Sequence, residues 1–317
     1  MRILVTGGAG FIGSHLVEHF QHHAEVRVLD NLRTGHRENL QGLQHEFWEG
    51  SILDRDLVRR AMNGVDYVFH LAAMVSVPES MQCPIECNEI NTTGTLTVLE
   101  EAARARVRRL VFSSSAAVYG DNPVVPKEET MTPEPKSPYA ITKLDGEYYC
   151  ALFQREGWLS TVCLRYFNVF GPRQDPKSPY AAAVPIFIAR ALRNEPITIF
   201  GDGTQTRDFI HVSDIVAANV HVAQQPTATG VYNVAYGKQL TIRELAEEII
   251  RLTGSRSEIR YGSERPGDVK HSVASIQRLL ATGFEPRSSL ARGLKETIEY
   301  FAARMQGKNE SGAPCRT

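Results

Sequence analysis

The 317-residue chain has no surplus of either charge: 35 Lys and Arg stand against 36 Asp and Glu, a formal net charge of −1. Without excess cations it has no general means of neutralising a phosphate backbone, which argues against nucleic acid as a partner. Affinity for an anion must come from a local site. No apolar run approaches the roughly 20 residues that span a bilayer. The apolar stretch at the N-terminus ends in glycines within a few residues, unlike a signal peptide. Cysteine is scarce: Cys83, Cys87, Cys150, Cys163 and Cys315 are odd in number and show no CxxC spacing. That excludes a disulfide frame and a thiolate metal site, and reduced thiols in a cytoplasmic, metal-free protein are expected. With 42% hydrophobic and 22% charged residues the chain is not disordered. Its length suggests about two lobes.

What is present is alternation. Short β-branched runs at 2–6, 26–30, 65–71, 109–114 and 161–166 read as buried parallel strands. Helical spacing fills 11–22, 54–63, 85–106 and 138–156 between them. This predicts an α/β fold, a Rossmann-type doubly wound parallel sheet over residues 1–168. After Asn168 a Gly/Pro-rich loop leads into a smaller mixed α/β lobe, expected over 169–305, with helices near 181–193, 213–224, 241–253 and 290–304. Residues 209–236 are expected to return to the first lobe, and the polar stretch 306–317 to form a disordered tail.

The first strand runs into Gly7-Gly8-Ala9-Gly10-Phe11-Ile12-Gly13. Glycines at 7, 10 and 13 suit a tight turn, a close backbone approach to a pyrophosphate, and helix–strand packing. Asp30 ends the second strand about 20 residues on, where a carboxylate holds both ribose hydroxyls and repels a 2′-phosphate. NAD is therefore favoured over NADP, although Arg33 stands close by. Further on, Ser137-Pro138-Tyr139 reads as a helix start, with Ser137 as N-cap and Pro138 at the first helical position. Tyr139 and Lys143 then share one helix face. A phenol with a reference pKa of about 10 becomes a usable base when an ammonium and a positive nicotinamide ring favour the phenolate. YxxxK spacing also arises by chance on exposed helices. It gains weight from Ser113-Ser114-Ser115 at a strand end, where a serine can bond a substrate hydroxyl, though such hydroxyls also satisfy their own backbone.

Together these residues resemble the extended short-chain dehydrogenase/reductase superfamily, specifically its nucleotide-sugar 4-epimerases. The motifs run in family order over about residues 1–304. They are the glycine fingerprint, Leu71-Ala72-Ala73, Asn91-x-x-Gly94-Thr95, the Ser115/Tyr139/Lys143 set, Leu164-Arg165-Tyr166-Phe167-Asn168, the segment from Gly201 to Val212, and Arg265-Pro266-Gly267-Asp268. The resemblance implies that Ser115, Tyr139 and Lys143 are catalytic. NAD would be held by Gly7, Gly10, Phe11, Ile12, Gly13, Asp30, Asn31, Ser51, Ile52, Leu71, Ala72, Ala73, Asn91, Ser113, Tyr139, Lys143 and Tyr166. Many relatives carry Asp where Ser51 stands, so the adenine contact there passes to a hydroxyl or the backbone. A UDP-sugar would meet Ser76, Ser115, Asn168, Arg207, Arg265, Asp268 and Ser272. A diphosphate in a neutral protein needs a local arginine clamp, although Asp208 and Asp268 could equally pair Arg207 and Arg265 in plain ion pairs.

The reaction class turns on missing acids. Related dehydratases and decarboxylases carry a carboxyl just after the strand-end serine, whereas this chain has Ala116 and Ala117, neither able to donate a proton. That favours 4-epimerisation through a 4-keto sugar. Where epimerases restricted to plain hexoses resemble one another in a bulky tyrosine, this chain has Ser272. UDP-GlcNAc/UDP-GalNAc is therefore expected alongside UDP-Glc/UDP-Gal, with UDP-glucuronate open; the plain alternative is that Ser272 merely ends a loop. A nonenzymatic NAD-sensing module should lack part of the Ser/Tyr/Lys set, which is complete here. The helices at 85–106 and 138–156 resemble a family pair that forms a four-helix interface, so a homodimer is expected.

Overall fold

The computed structural model describes residues 1–176, 182–264 and 270–310. Its first lobe is built on strands β1 (Arg2–Thr6), β2 (Glu25–Asp30), β3 (Glu46–Glu49), β4 (Tyr67–His70), β5 (Arg109–Ser115) and β6 (Thr161–Tyr166). With the strand Gly230–Val234 they form one seven-stranded sheet, in the order Gly230–Val234, β6, β5, β4, β1, β2, β3. Every pairing is parallel. The doubly wound sheet expected from the alternation is the one that forms. Its winding reverses between β1 and β4, and the crevice beyond their carboxyl ends is where such sheets bind ligands.

Helices α1 (Phe11–Phe20), α2 (Arg55–Ala61), α3 (Val77–Gln82), α4 (Pro84–Asn88), α5 (Gly94–Arg104) and α6 (Pro138–Arg155) cover the sheet. On one face Leu16 and Val17 of α1 pack with Ile215 and Val222 of the helix Val212–Gln224 over Val5, Val28 and Val162. On the other, Val58, Leu99 and Phe153 close over Leu4, Val68 and Leu110. Burial on both faces is why the central strands read as continuous apolar runs. The helix expected over 85–106 is interrupted: Pro84 starts α4, and a π-helical turn at Glu89–Thr93 joins it to α5. His70 is fixed between the hydroxyls of Thr6 (Nδ1, 2.7 Å) and Thr95 (Nε2, 3.0 Å). Burial pushes it down to about 3, so it stays neutral.

The second lobe gathers Phe170, Phe187, Ile199, Leu245, Leu294 and Phe301 into a separate core. Here β7 (Asn168–Phe170) pairs with Phe209–His211, and Ile197–Phe200 with Ile259–Gly262. The helix Ile242–Thr253 begins at a reciprocal Thr241/Glu244 cap. The last helix runs from Leu290 to Glu310, so the polar stretch expected as a tail from Gln306 starts as helix. Residues 311–317 lie outside those described. Among the described residues no helix is long and apolar enough to cross a membrane.

Candidate active site

A cavity of about 1380 Å³ opens between the lobes, over the carboxyl ends of β1, β4 and β5. At its floor the chain turns from β1 into α1. Gly7 has φ +71°, and a Cβ there would lie 2.8 Å from the Ala72 amide nitrogen; one on Gly13 would lie 2.2 Å from the Gly7 carbonyl oxygen. Only glycine fits either position. The helix starts at Gly10 without a side-chain cap, so its positive end opens into the cavity. Asp30 is buried at the tip of β2, its Oδ2 accepting from the Ala9 amide (2.9 Å) and its Oδ1 from the Leu32 amide (2.8 Å). A cradle closed to any Cβ, an uncapped helix start and a rigid acid fit a dinucleotide.

The cavity wall includes Gly7, Gly10, Phe11, Ile12, Gly13, Asp30, Asn31, Ile52, Leu71, Ala72, Ala73, Ser76, Ser113, Ser115, Tyr139, Lys143, Tyr166, Asn168 and Arg207. Three expected contacts stand off it. Asn91 is buried with its amide already committed, Oδ1 to the Met74 amide (2.7 Å) and Nδ2 to the Met74 carbonyl and Thr142 hydroxyl (3.0 Å each). It shapes the wall from behind. Ser51 spends its hydroxyl on the Leu53 amide at 3.1 Å, and only its neighbours Gly50 and Ile52 reach the cavity. Ser272 lies against Thr206, its amide donating to that carbonyl at 3.2 Å. From there a small side chain does not by itself open space at the sugar 2-position. Arg265 and Asp268 lie outside the described residues.

The expected cap of α6 forms, Ser137 Oγ accepting from the Ala140 amide at 3.2 Å with Pro138 in the first turn. It sets Tyr139 and Lys143 facing the strand end of β5. Lys143 Nζ donates to the Ser113 carbonyl at 2.8 Å and sits 5.9 Å from the Tyr139 ring centre. Burial pulls Lys143 down to about 8. Burial also pushes the Tyr139 phenol up, against the drawing-down effect of the Ser115 hydroxyl. The lysine side chain therefore helps make a phenolate only together with a further positive charge in the cavity, such as that of a nicotinamide ring.

That buried lysine has a consequence for stability. Its folded pKa near 8 lies below the unfolded value of 10.5, so the ammonium, still the main form at pH 7, is held at a cost relative to the unfolded chain. Lys143→Met is expected to abolish turnover yet raise the unfolding midpoint at pH 7. The gain should be full below pH 8 and vanish as pH rises toward 10.5, as followed by thermal melts across that range.

The sequence does not show which partners the remaining residues of the site take. Beneath β5, Glu147 of α6 takes both Arg165 Nε (2.8 Å) and Nη2 (2.7 Å) and the Ser114 hydroxyl, all buried. Arg165 also stacks 4.7 Å from the Tyr119 ring centre. Tyr166 bonds Ser113 at 3.1 Å and also Asn219, and burial raises it to about 12, keeping it a phenol. The Asp208 carboxylate accepts from the backbone amides of Tyr236, Gly237 and Ala274 at 3.0–3.1 Å. It is a backbone hub, raised to about 6 by burial. On the second-lobe side Phe187, Arg190, Phe200 and Gln205 join Arg207 on the wall.

A doubly wound sheet with this glycine cradle, ribose acid and Ser/Tyr/Lys cluster defines a nicotinamide-dependent enzyme of the short-chain dehydrogenase/reductase type. The NAD dependent epimerase/dehydratase family matches residues 3–235, and the chain belongs to that family, with NAD as its cofactor. It is similar to the UDP-N-acetylglucosamine 4-epimerase of Methanobrevibacter ruminantium M1 in complex with UDP-N-acetylmuramic acid: 42% identity, TM-score 0.93, covering 96% of this chain and 99% of that one. The UDP-glucose 4-epimerase of Thermotoga maritima, solved with UDP-glucose, is 41% identical with TM-score 0.92, covering 96% and 100%. That of Thermus thermophilus, in complex with NAD, is 39% identical with TM-score 0.87, covering 95% and 99%.

Proposed function

We propose that this enzyme, an NAD-dependent UDP-sugar 4-epimerase, interconverts UDP-GlcNAc with UDP-GalNAc and also UDP-Glc with UDP-Gal. The observation that carries the reading is one continuous cavity with Ser115, Tyr139 and Lys143 on one wall and Arg207 on the other. NAD supplies the chemistry of accepting a hydride from the sugar C4 and giving it back. Tyr139 takes the proton of the 4-hydroxyl and later restores it, with Ser115 bonding the same oxygen. Lys143, anchored on the Ser113 carbonyl, holds positive charge beside the phenol. Arg207 supplies charge for the diphosphate, about which the 4-keto sugar turns to present its other face. Ala116 and Ala117 follow Ser115 in a tight turn, so no carboxyl stands there to expel a hydroxyl. Breadth at the 2-position is supported by the near-equal likeness to structures named for UDP-N-acetylglucosamine and UDP-glucose.

The test is incubation of purified enzyme with UDP-Glc, UDP-GlcNAc or UDP-GlcA, followed through each anomeric signal by NMR. Conversion of the first two is expected. Conversion of UDP-Glc alone would end the 2-position reading, and turnover of UDP-GlcA with its carboxylate kept would move the assignment to a uronate epimerase.

A homodimer working in the cytoplasm is part of the proposal. Met81, Ile85, Ile141 and Tyr148 stand exposed on α3, α4 and α6, with Ile85 76% accessible. An apolar cluster spread over adjacent helices suits a twofold helix interface. Light scattering is expected to give twice the chain mass.

A further inference from the structure

Asp30 is not the only charge at the open end of the dinucleotide crevice. Leu32 adopts a left-handed backbone, φ 59°, and the side chain of Arg33, which follows it, reaches α3 and α4. There the guanidinium meets two carboxylates: Nη2 donates to Glu79 Oε1 at 2.9 Å, and Nη1 to Glu86. Glu79 is set in place by its own backbone, whose amide donates to Ser76 Oγ at 3.1 Å. Arg33 and Glu79 both line the cavity.

In dinucleotide sites of this architecture, an arginine near the ribose acid is the group that accommodates a 2′-phosphate. Arg33 has the right charge and closely follows Asp30 in the chain, but its two donor arms are engaged. A 2′-phosphate would have to displace two carboxylates presented by adjoining helices, and would meet the charge of Glu79 on the cavity wall. We propose that Glu79 and Glu86 are specificity-determining residues: by holding Arg33 they withhold it from a 2′-phosphate and, together with Asp30, restrict the enzyme to NAD. Removing Asp30 alone leaves Arg33 paired, so the acid at the end of β2 is only part of the discrimination. This selection acts on the cofactor and is independent of which sugar is turned over.

Full-length variants titrated with NAD⁺ and NADP⁺, with affinities read from the ligand-dependent rise in unfolding temperature, test it without recourse to activity. With Asp30 intact, E79Q/E86Q is expected to narrow the preference for NAD⁺ over NADP⁺ about tenfold, the size expected of one new charge-assisted hydrogen bond. Asp30→Ser should improve NADP⁺ binding only slightly. Adding E79Q/E86Q to it should improve NADP⁺ binding by a further factor of about ten, and Arg33→Ala in that background should erase the improvement. An unchanged preference in E79Q/E86Q would overturn the proposal. So would an improvement that survives Arg33→Ala, since the acids would then act by their own charge and not through the arginine. Should the variants lacking Asp30 not fold, E79Q/E86Q with and without Arg33→Ala, Asp30 intact, decides the matter: the narrowed preference must disappear with the arginine.

Discussion

Tyr139→Phe is expected to lower turnover about a hundred- to ten-thousand-fold, the range associated with loss of a positioned acid–base group, while leaving bound NAD and the unfolding midpoint near wild type. The change removes one oxygen. The Tyr139 amide keeps its bond to Ser80 Oγ at 3.2 Å, so the start of α6 stays in place. Because burial already opposes the phenolate, the phenylalanine ring carries no folding penalty of its own. Turnover is followed by NMR on UDP-Glc, bound NAD by absorbance after denaturation, and stability by melting. Retention of more than about a tenth of the activity, far above the loss that a positioned acid–base group entails, would mean that another group moves the 4-hydroxyl proton.

Arg165→Met should produce the largest stability effect. Arg165 and Glu147 side chains are 4% and 3% accessible, so the substitution leaves a carboxylate with, among the described residues, only the Ser114 hydroxyl as a side-chain donor in a dry interior. Breaking a buried pair from one side costs about 3–5 kcal/mol. The paired substitution Arg165→Met with Glu147→Leu removes both charges and is expected to cost distinctly less, a non-additivity that a double-mutant cycle in urea measures directly. Equal losses for the single and paired variants would show that packing, not the orphaned charge, dominates. Activity should fall further in the paired variant, because Glu147 holds Ser114 between the two serines that face Lys143 and Tyr139 and Glu147→Leu releases it.

Much of this is legible in the sequence, and the exceptions are physical. Strands β1, β2, β5 and β6 announce themselves because both faces are covered. Strand β3, Glu46-Phe47-Trp48-Glu49, does not: it sits at the sheet edge, bounded by glutamates, and is only half-buried. For Gly230–Val234 the return of residues 209–236 to the first lobe is readable but the pairing is not, because its partner β6 ends far back in the chain, at Tyr166. The helix bearing Tyr139 and Lys143 is readable because Ser137 and Pro138 act locally on their own turn. Asn91 and Ser272 stand off the cavity for the opposite reason, whereas Ser51 is turned to the Leu53 amide two residues on. Whether an amide or hydroxyl faces a cavity or a neighbouring backbone depends on its surroundings in the fold, and Met74 for Asn91 and Thr206 for Ser272 are distant in sequence. Arg33 shows the same limit: its charge is visible in sequence, its engagement by Glu79 and Glu86 is not.

The interleaved path of the chain also bears on how the protein is made. The sheet begins at Arg2 but acquires its last strand only at Gly230–Val234, after much of the second lobe has been threaded through. Until then β6 has an unpaired edge, and the flank of the sheet awaits the helix Val212–Gln224. On a ribosome emitting residues in chain order, the dinucleotide lobe is a half-finished sheet with a sticky side for as long as it takes to synthesise the intervening stretch. A nascent chain stalled between β6 and Gly230 is thus the form most exposed to chaperones and to aggregation, and the cell has to protect it there.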